Sequence, residues 1–283
     1  MEGFSFSKIV EDILREREII DEGIDFDTES LTVSYNPSHE NNVDTSVENN
    51  PTCDGEILGG IHVWSIFKRK KNKMDFTDKD GNPLVFALKG ERGWHFRSEK
   101  DREEIERQFD FIAEKFASIY KVGVTILIPS SNPLNKHIAD VVMSKSENSK
   151  LLEGVVSKMT IEEIDDIVLD PNSEFRKHYD KNFKQAYARF IRFINVMKEK
   201  HNGMFAKHFV KDPEMRRVLN NTLKLSNDAY ANFANDINGH DLLIIDDTIS
   251  QGASIRETIN IINETYSPNS VTILTMFSKL YDE

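Results

Sequence analysis

The spacing of apolar residues changes several times along this chain, and each change marks an element. Residues 4 to 20 carry Phe6, Ile9, Val10, Ile13 and Leu14 at helical intervals, which predicts an N-terminal helix. From Asp21 to Glu56 acids, Asn, Ser and Thr dominate, with Pro37 and Pro51. That stretch reads as a linker or flexible extension, apart from a short strand at Leu31-Thr32-Val33. Residues 57 to 97 read as β-rich: IHVWSIFKRK and PLVFALKG flank the turn-like DKDGNP, which suggests a hairpin or meander. Ser98 and Asp101 have capping-box spacing. Ile105, Phe109, Ile112, Phe116 and Ile119 then step by three or four through a long helix.

Val122 to Ile128 reads as a buried strand, Pro129 to Pro133 as a loop, and the run through His137 and Val141 as a helix. Leu151 to Met159 is expected to add a strand. Thr160 and Glu163 repeat the capping-box spacing before a short helix. Phe183, Tyr187, Phe190, Ile194 and Met197 mark a longer amphipathic helix, whose aromatic stripe reads as core packing. Met204 to Val210 is expected to form a strand, and KDPEMRRVLNNTLKL a basic, partly helical stretch. After Gly239-His240 come a strand, a helix reaching Tyr266, a break at Ser267-Pro268-Asn269 and a strand from Val271 to Phe277. That order predicts two parallel strands joined by a right-handed crossover.

The chemistry concentrates in Leu242 to Ser254, LLIIDDTISQGAS. Four apolar residues, Leu242 to Ile245, fit a strand buried on both faces. Asp246 and Asp247 then fall at its C-terminal end, which in an open α/β sheet borders the ligand crevice. Ser250-Gln251-Gly252-Ala253-Ser254 leads into a run with Ile255, Ile259 and Ile262 on one face. Such a loop at a helix start offers free N–H groups and a positive dipole end to an anion. Two carboxylates beside a phosphate cradle suit a phosphorylated sugar. An acid pair after a buried strand also serves magnesium-binding and response-regulator-like folds, or merely caps a helix.

Composition narrows the classes. The formal charge of −12 disfavours non-specific binding to nucleic acid or an anionic membrane. The cluster Lys68-Arg69-Lys70-Lys71-Asn72-Lys73 therefore reads as a solvated hairpin end rather than a nucleic-acid contact. The one cysteine, Cys53, has no intrachain partner and fits a reducing compartment. The opening MEGFSFSKIVED lacks a basic and then apolar leader, and no run approaches the ~18 apolar residues of a membrane span. A cytoplasmic protein is expected. His62 and His95, near Trp64 and Trp94, read as structural histidines, since no other ligand group stands at metal-site spacing.

The segment from Leu242 resembles the phosphoribosyl pyrophosphate (PRPP) motif of the type I phosphoribosyltransferases. That motif has four apolar residues, two acids, two mostly apolar residues and a hydroxyl- and glycine-bearing loop. Asp246 and Asp247 match the acids, and Ser250, Gly252 and Ser254 match the loop. Thr248 stands where an aliphatic residue is commoner, and Gln251 where the family usually places a small hydroxyl on the 5′-phosphate. The resemblance implies an α/β fold with a parallel-sheet phosphoribosyltransferase-like core over residues 98–283. A helical insertion would lie at 160–200, after an N-terminal helix and flexible extension (1–56) and a β-rich addition (57–97). Either the addition or the insertion could form the hood over the acceptor.

The implied activity is PRPP-dependent transfer of the 5-phosphoribosyl group to a nucleobase or related nitrogen acceptor, with release of pyrophosphate. The alternative is a non-catalytic PRPP- or nucleotide-sensing module. By the same resemblance Asp246 and Asp247 are catalytic, and Ser250, Gln251, Gly252, Ala253 and Ser254 hold the 5′-phosphate. Ser130, Ser131 and Asn132 occupy the place of the pyrophosphate loop. Lys207, Lys211, Arg216 and Arg217 are the basic candidates for a mobile loop. Magnesium (Mg2+) is implied as a companion of PRPP, held largely by substrate and water, so no residue is assigned as its ligand. PRPP and a nitrogenous acceptor are the implied partners, and a homodimer is compatible.

Overall fold

The computed structural model describes residues 23–36, 43–58, 60–69, 82–130, 133–146, 149–200, 203–206, 209–219, 222–227, 229–249 and 252–277. In chain order the elements begin with β1 (Gly23–Asp27), β2 (Thr32–Asn36), β3 (Val43–Asp44), β4 (Thr52–Ile57), β5 (Ile61–Ser65), β6 (Lys68–Arg69), α1 (Asn82–Lys89) and β7 (His95–Phe96). Next come α2 (Glu99–Ile119), β8 (Val124–Leu127), α3 (Leu134–Lys145), β9 (Lys150–Leu152), β10 (Val156–Lys158), α4 (Ile161–Leu169), α5 (Glu174–His178) and α6 (Phe183–Lys200). The last are α7 (Pro213–Val218), β11 (Leu223–Leu225), α8 (Ala229–Ile237), β12 (Asp241–Thr248), α9 (Ala253–Thr265) and β13 (Ser270–Phe277). The architecture is mixed α/β. The helix expected over residues 4 to 20 lies outside the described residues.

Two compact units divide the chain. One comprises Met1–Glu153, Asp236–Gln251 and Pro268–Glu283; the other comprises Gly154–Asn235 and Gly252–Ser267. The first unit is built on a six-stranded sheet in the order β4-β5-β13-β12-β8-β9. All neighbours are parallel except the edge pair β4–β5. Leu242 to Ile245 are at most 1% exposed, as expected of a strand covered on both faces. Each such side chain contributes about 2 kcal/mol of burial. Gly123 sets the approach of β8 to β12, since a Cβ there would lie 2.9 Å from the Asp241 carbonyl oxygen.

Three strands of a second sheet in this unit, β6-β3-β1-β2-β7, lie in the segment expected to be a linker, namely β1, β2 and β3. Its few apolar residues explain the difference. Ile24, Val33, Val43 and Val47 are at most 1% exposed and join the same core as α2. The many polar residues close turns: the Asp27 carboxylate accepts from the Glu29 N–H at 2.9 Å and from the Ser30 hydroxyl at 2.7 Å. Ser98 caps α2 by accepting from the Asp101 N–H at 3.1 Å. Asp101 turns its own carboxylate to the Tyr35 N–H at 2.8 Å, which secures β2. Lys115 on α2 is buried and donates to the carbonyls of Val47 and Asn50.

PLVFALKG is a helix rather than the second arm of a hairpin. Leu84, Val85 and Ala87 are buried in the core, with Phe86 and Leu88 packed against it. Gly90, at φ +63°, ends the helix. Its N–H meets the Ala87 carbonyl at 3.2 Å and the Glu91 N–H meets Phe86 at 2.8 Å, the paired bonds of a Schellman stop.

The second unit has a separate core of Ile161, Ile164, Phe175, Phe190, Ile194, Met197 and neighbours. Thr160 and Glu163 form a complete capping box, and the aromatic stripe of α6 packs inward as expected. The strand expected over Leu151 to Met159 is instead two. Gly154, at φ +73°, breaks the run, so β9 joins the large sheet and β10 pairs with β11. Over Met204 to Val210 the described residues hold a single bridge, Thr160 to Met204, not a strand. In α9, Ile255, Ile259 and Ile262 are buried. Glu257 on α9 accepts from the backbone N–H groups of Thr222 and Leu223, tying α9 to β11.

Candidate functional site

Strand order locates the crevice of the first unit. From β8 the chain passes through α3 to β9 on one side; from β12 it continues to β13 on the other. The order reverses between β8 and β12, and ligands of open α/β sheets bind at the C-terminal ends of strands at such a switch point. Asp246 and Asp247 are the sixth and seventh residues of the eight in β12. Backbone pairing continues beyond β8, with the Ile128 N–H donating to the Ile245 carbonyl at 3.0 Å. The loop that begins at Pro129 therefore starts beside the acids.

Neighbouring residues of a strand point to opposite faces, so the two carboxylates have different surroundings. Leu243 and Ile245, on the Asp247 side of the alternation, belong to the core that also contains α1. There the Lys89 ammonium donates to Asp247 Oδ2, with only 13% and 12% of the two side chains exposed. The Thr248 hydroxyl donates to Asp247 Oδ1 at 2.9 Å. Asp246 is half-buried and accepts the Asp247 N–H on Oδ1 at 2.9 Å. Burial, and then the charge of Asp247, push its carboxyl from an ordinary 3.8 up to about 7. The Asp247 N–H, the Asn135 amide and the Lys89 charge pull the other way.

Asn135, in the first turn of α3, is 2% exposed and donates to the Ile128 carbonyl at 3.0 Å. Its Oδ1 is buried without a partner. Lys89 and Asn135 were not among the residues expected at the site. The helix signal of NPLVFALKG, proline near the start and glycine just past the end, would have placed Lys89 at a rigid terminus. Nothing local to Asn135 marks it.

The remaining expected site residues fall in both units or outside the described residues. Ser130 is exposed after β8, while Ser131 and Asn132 lie outside the described residues, as do Ser250, Gln251 and Lys207. Gly252, at φ +67°, stands at the N-cap of α9 and offers no side-chain bond; Ala253 and Ser254 are exposed in its first turn. These three belong to the second unit, whereas the acids belong to the first. Lys211 is exposed before α7, and Arg216 and Arg217 are exposed on it. Arg217 pairs with Glu214 at 2.9 Å and lines an open cavity of about 450 Å³ with Glu174, Lys177, His178 and Val218.

His62 and His95 are exposed rather than set in apolar surroundings. His62 Nδ1 lies 3.5 Å from Glu56 Oε1 and 4.0 Å from Cys53 Sγ, and His95 Nδ1 lies 3.1 Å from the Gly93 carbonyl. Among the described residues no three His, Cys, Asp or Glu side chains converge as a metal site, and one oxygen of Asp247 is committed to Lys89. No described helix is long and apolar enough to cross a membrane. Comparison with protein-family models, curated proteins and solved structures gave no match.

Proposed function

We propose that this protein binds PRPP and transfers its 5-phosphoribosyl group to a nitrogen acceptor such as a nucleobase, releasing pyrophosphate. The observation that carries this reading is the acid pair at the C-terminal end of β12, bordering the β8–β12 switch point. It agrees with the resemblance of LLIIDDTISQGAS to the PRPP motif. Transfer from PRPP develops positive charge on the ribose ring, which a preorganised carboxylate opposes; one well-placed group of this kind supplies ~3 kcal/mol. On this reading the 5′-phosphate is taken by the backbone N–H groups at the start of α9, which has no side-chain cap. That remote anchor helps to position the reacting carbon. Magnesium enters as part of the substrate, on the pyrophosphate, and needs no ligand set of its own in the chain.

Calorimetric titration with PRPP, with and without magnesium, tests the reading. Magnesium-dependent binding is expected, with loss in the Ser250→Ala/Ser254→Ala variant; no binding to the wild-type protein would overturn it. A second reading, PRPP or nucleotide sensing without turnover, is favoured by one observation: Lys89 already occupies Asp247. Binding without pyrophosphate release across a screen of nitrogen acceptors would select it.

A further inference from the structure

We propose that Lys89 is a positioning residue of this site: by pairing with Asp247, it settles that Asp246 is the carboxylate that carries the exchangeable proton. The proposal takes the acid pair as the reacting centre of the transfer suggested above, but its test does not require PRPP.

Three features of the geometry carry it. Lys89 is delivered by a rigid element, since α1 is anchored by Leu84, Val85 and Ala87 and is ended by the Schellman bonds at Gly90 and Glu91. Lys89 is also the last residue of its helix, where a basic side chain is favoured by the unsatisfied carbonyls. The Arg92 guanidinium lies 4.3 Å over the Phe86 ring and braces the exit of the same turn.

The pair is also asymmetric. Asp247 has both oxygens engaged, one by Lys89 and one by the Thr248 hydroxyl. Among the described residues the donors that Asp246 meets, on the opposite face of β12, are neutral: the Asp247 N–H and the Asn135 amide. The charged groups that bear on it are Asp247, from its own strand, and Lys89, from α1. Two carboxylates on consecutive residues resist holding two negative charges, and the one without a cation is the one that keeps a proton. The asymmetry divides the roles within one dipeptide, with a fixed counter-charge at Asp247 and a proton-exchanging group at Asp246. It also makes the N-terminal segment part of the site, because the cation that sets the division comes from residue 89.

Carboxyl carbon NMR of aspartate-labelled full-length protein reads this directly, with the Asp246 signal assigned by its loss in Asp246→Asn. In wild type that signal should titrate close to neutrality. Lys89→Met removes the cation paired with Asp247, so the proton is no longer assigned to Asp246 alone and the Asp246 signal should lose part of its amplitude near neutrality, whereas Lys89→Arg should keep the wild-type titration. Asp247→Asn removes the neighbouring charge and should move it downward. A titration of Asp246 that is the same in Lys89→Met and wild type overturns the proposal. Should Lys89→Met fail to fold, Lys89→Gln and Asp247→Asn carry the same comparison, and an unmoved Asp246 in both overturns it equally. Failure to bind PRPP, with the Lys89-dependent titration intact, would remove the phosphoribosyl reading and leave the role of Lys89 standing.

Discussion

Asp246 gives the first unit a pH dependence of a definite sign. Its carboxyl, raised from 3.8 to about 7, holds a proton in the folded state that the unfolded chain has already lost over that interval. Its contribution to stability therefore falls as pH rises from about 4 to about 7 and stays low above, a loss on the order of 4 kcal/mol. Asp246→Asn should flatten that decline, as measured by urea midpoints at pH 5 and pH 8; the same decline in the variant would refute the assignment. The Lys89–Asp247 pair makes a second prediction. Its charged heads are nearly covered, so removing either alone leaves an uncompensated charge and should cost about 3 kcal/mol. Lys89→Met with Asp247→Asn together should cost less than the sum of the two, and strict additivity in the double-mutant cycle would contradict the pairing. At this scale the acids were legible because four apolar residues and two adjacent aspartates are a local pattern. Lys89 was not, because the contact joins residues 158 positions apart.

Elements were legible where one period ran long enough. The helices α2 and α6, at 21 and 18 residues, repeat their apolar stripe over several turns; β12 shows four consecutive apolar residues, and in β13 Val271, Ile273, Leu274, Met276 and Phe277 are separated only by threonines. Short elements failed for reasons that can be named. The eight residues of α1 are apolar on nearly every side because the core surrounds them, so no helical stripe shows, and Val85 and Phe86 favour a strand locally. Between Leu151 and Met159 the apolar run continues through Gly154, whose φ of +73° turns the chain from one sheet to another. The helix α8 went unread, because the polar residues of AYANFANDI hide its nine-residue pattern. Close approach between strands gives the test at this scale. Gly123→Ala would set a Cβ 2.9 Å from a backbone oxygen of Asp241, which flexible side-chain motion cannot relieve. It should cost about 2 kcal/mol by overpacking and part β8 from β12, where the switch point lies. Thermal unfolding reads the cost, and a melting temperature equal to wild type would show that the strands do not need the glycine.

For the whole molecule, the division into two units matters because the motif spans it. Asp246 and Asp247 belong to one unit, and Gly252, Ala253 and Ser254 belong to the other. Each unit has its own apolar core, so each is expected to unfold with its own calorimetric transition. Gly123→Ala should lower only one of them. Thr160→Ala, which breaks the capping box of α4, should lower only the other, by about 1 kcal/mol. With the transitions assigned in this way, PRPP becomes a geometric probe. On the function proposed above, PRPP engages Asp246 and Asp247 as well as Gly252 to Ser254, residues assigned to different units. It should therefore raise both transitions, with about 2.7 kcal/mol of total stabilisation at a hundred times its Kd. A ligand held only by the aspartates would raise the first transition alone, and one held only by the helix start would raise the second. A shift confined to one transition would mean that the thirteen residues from Leu242 to Ser254 do not act as a single binding motif, even though they read as one.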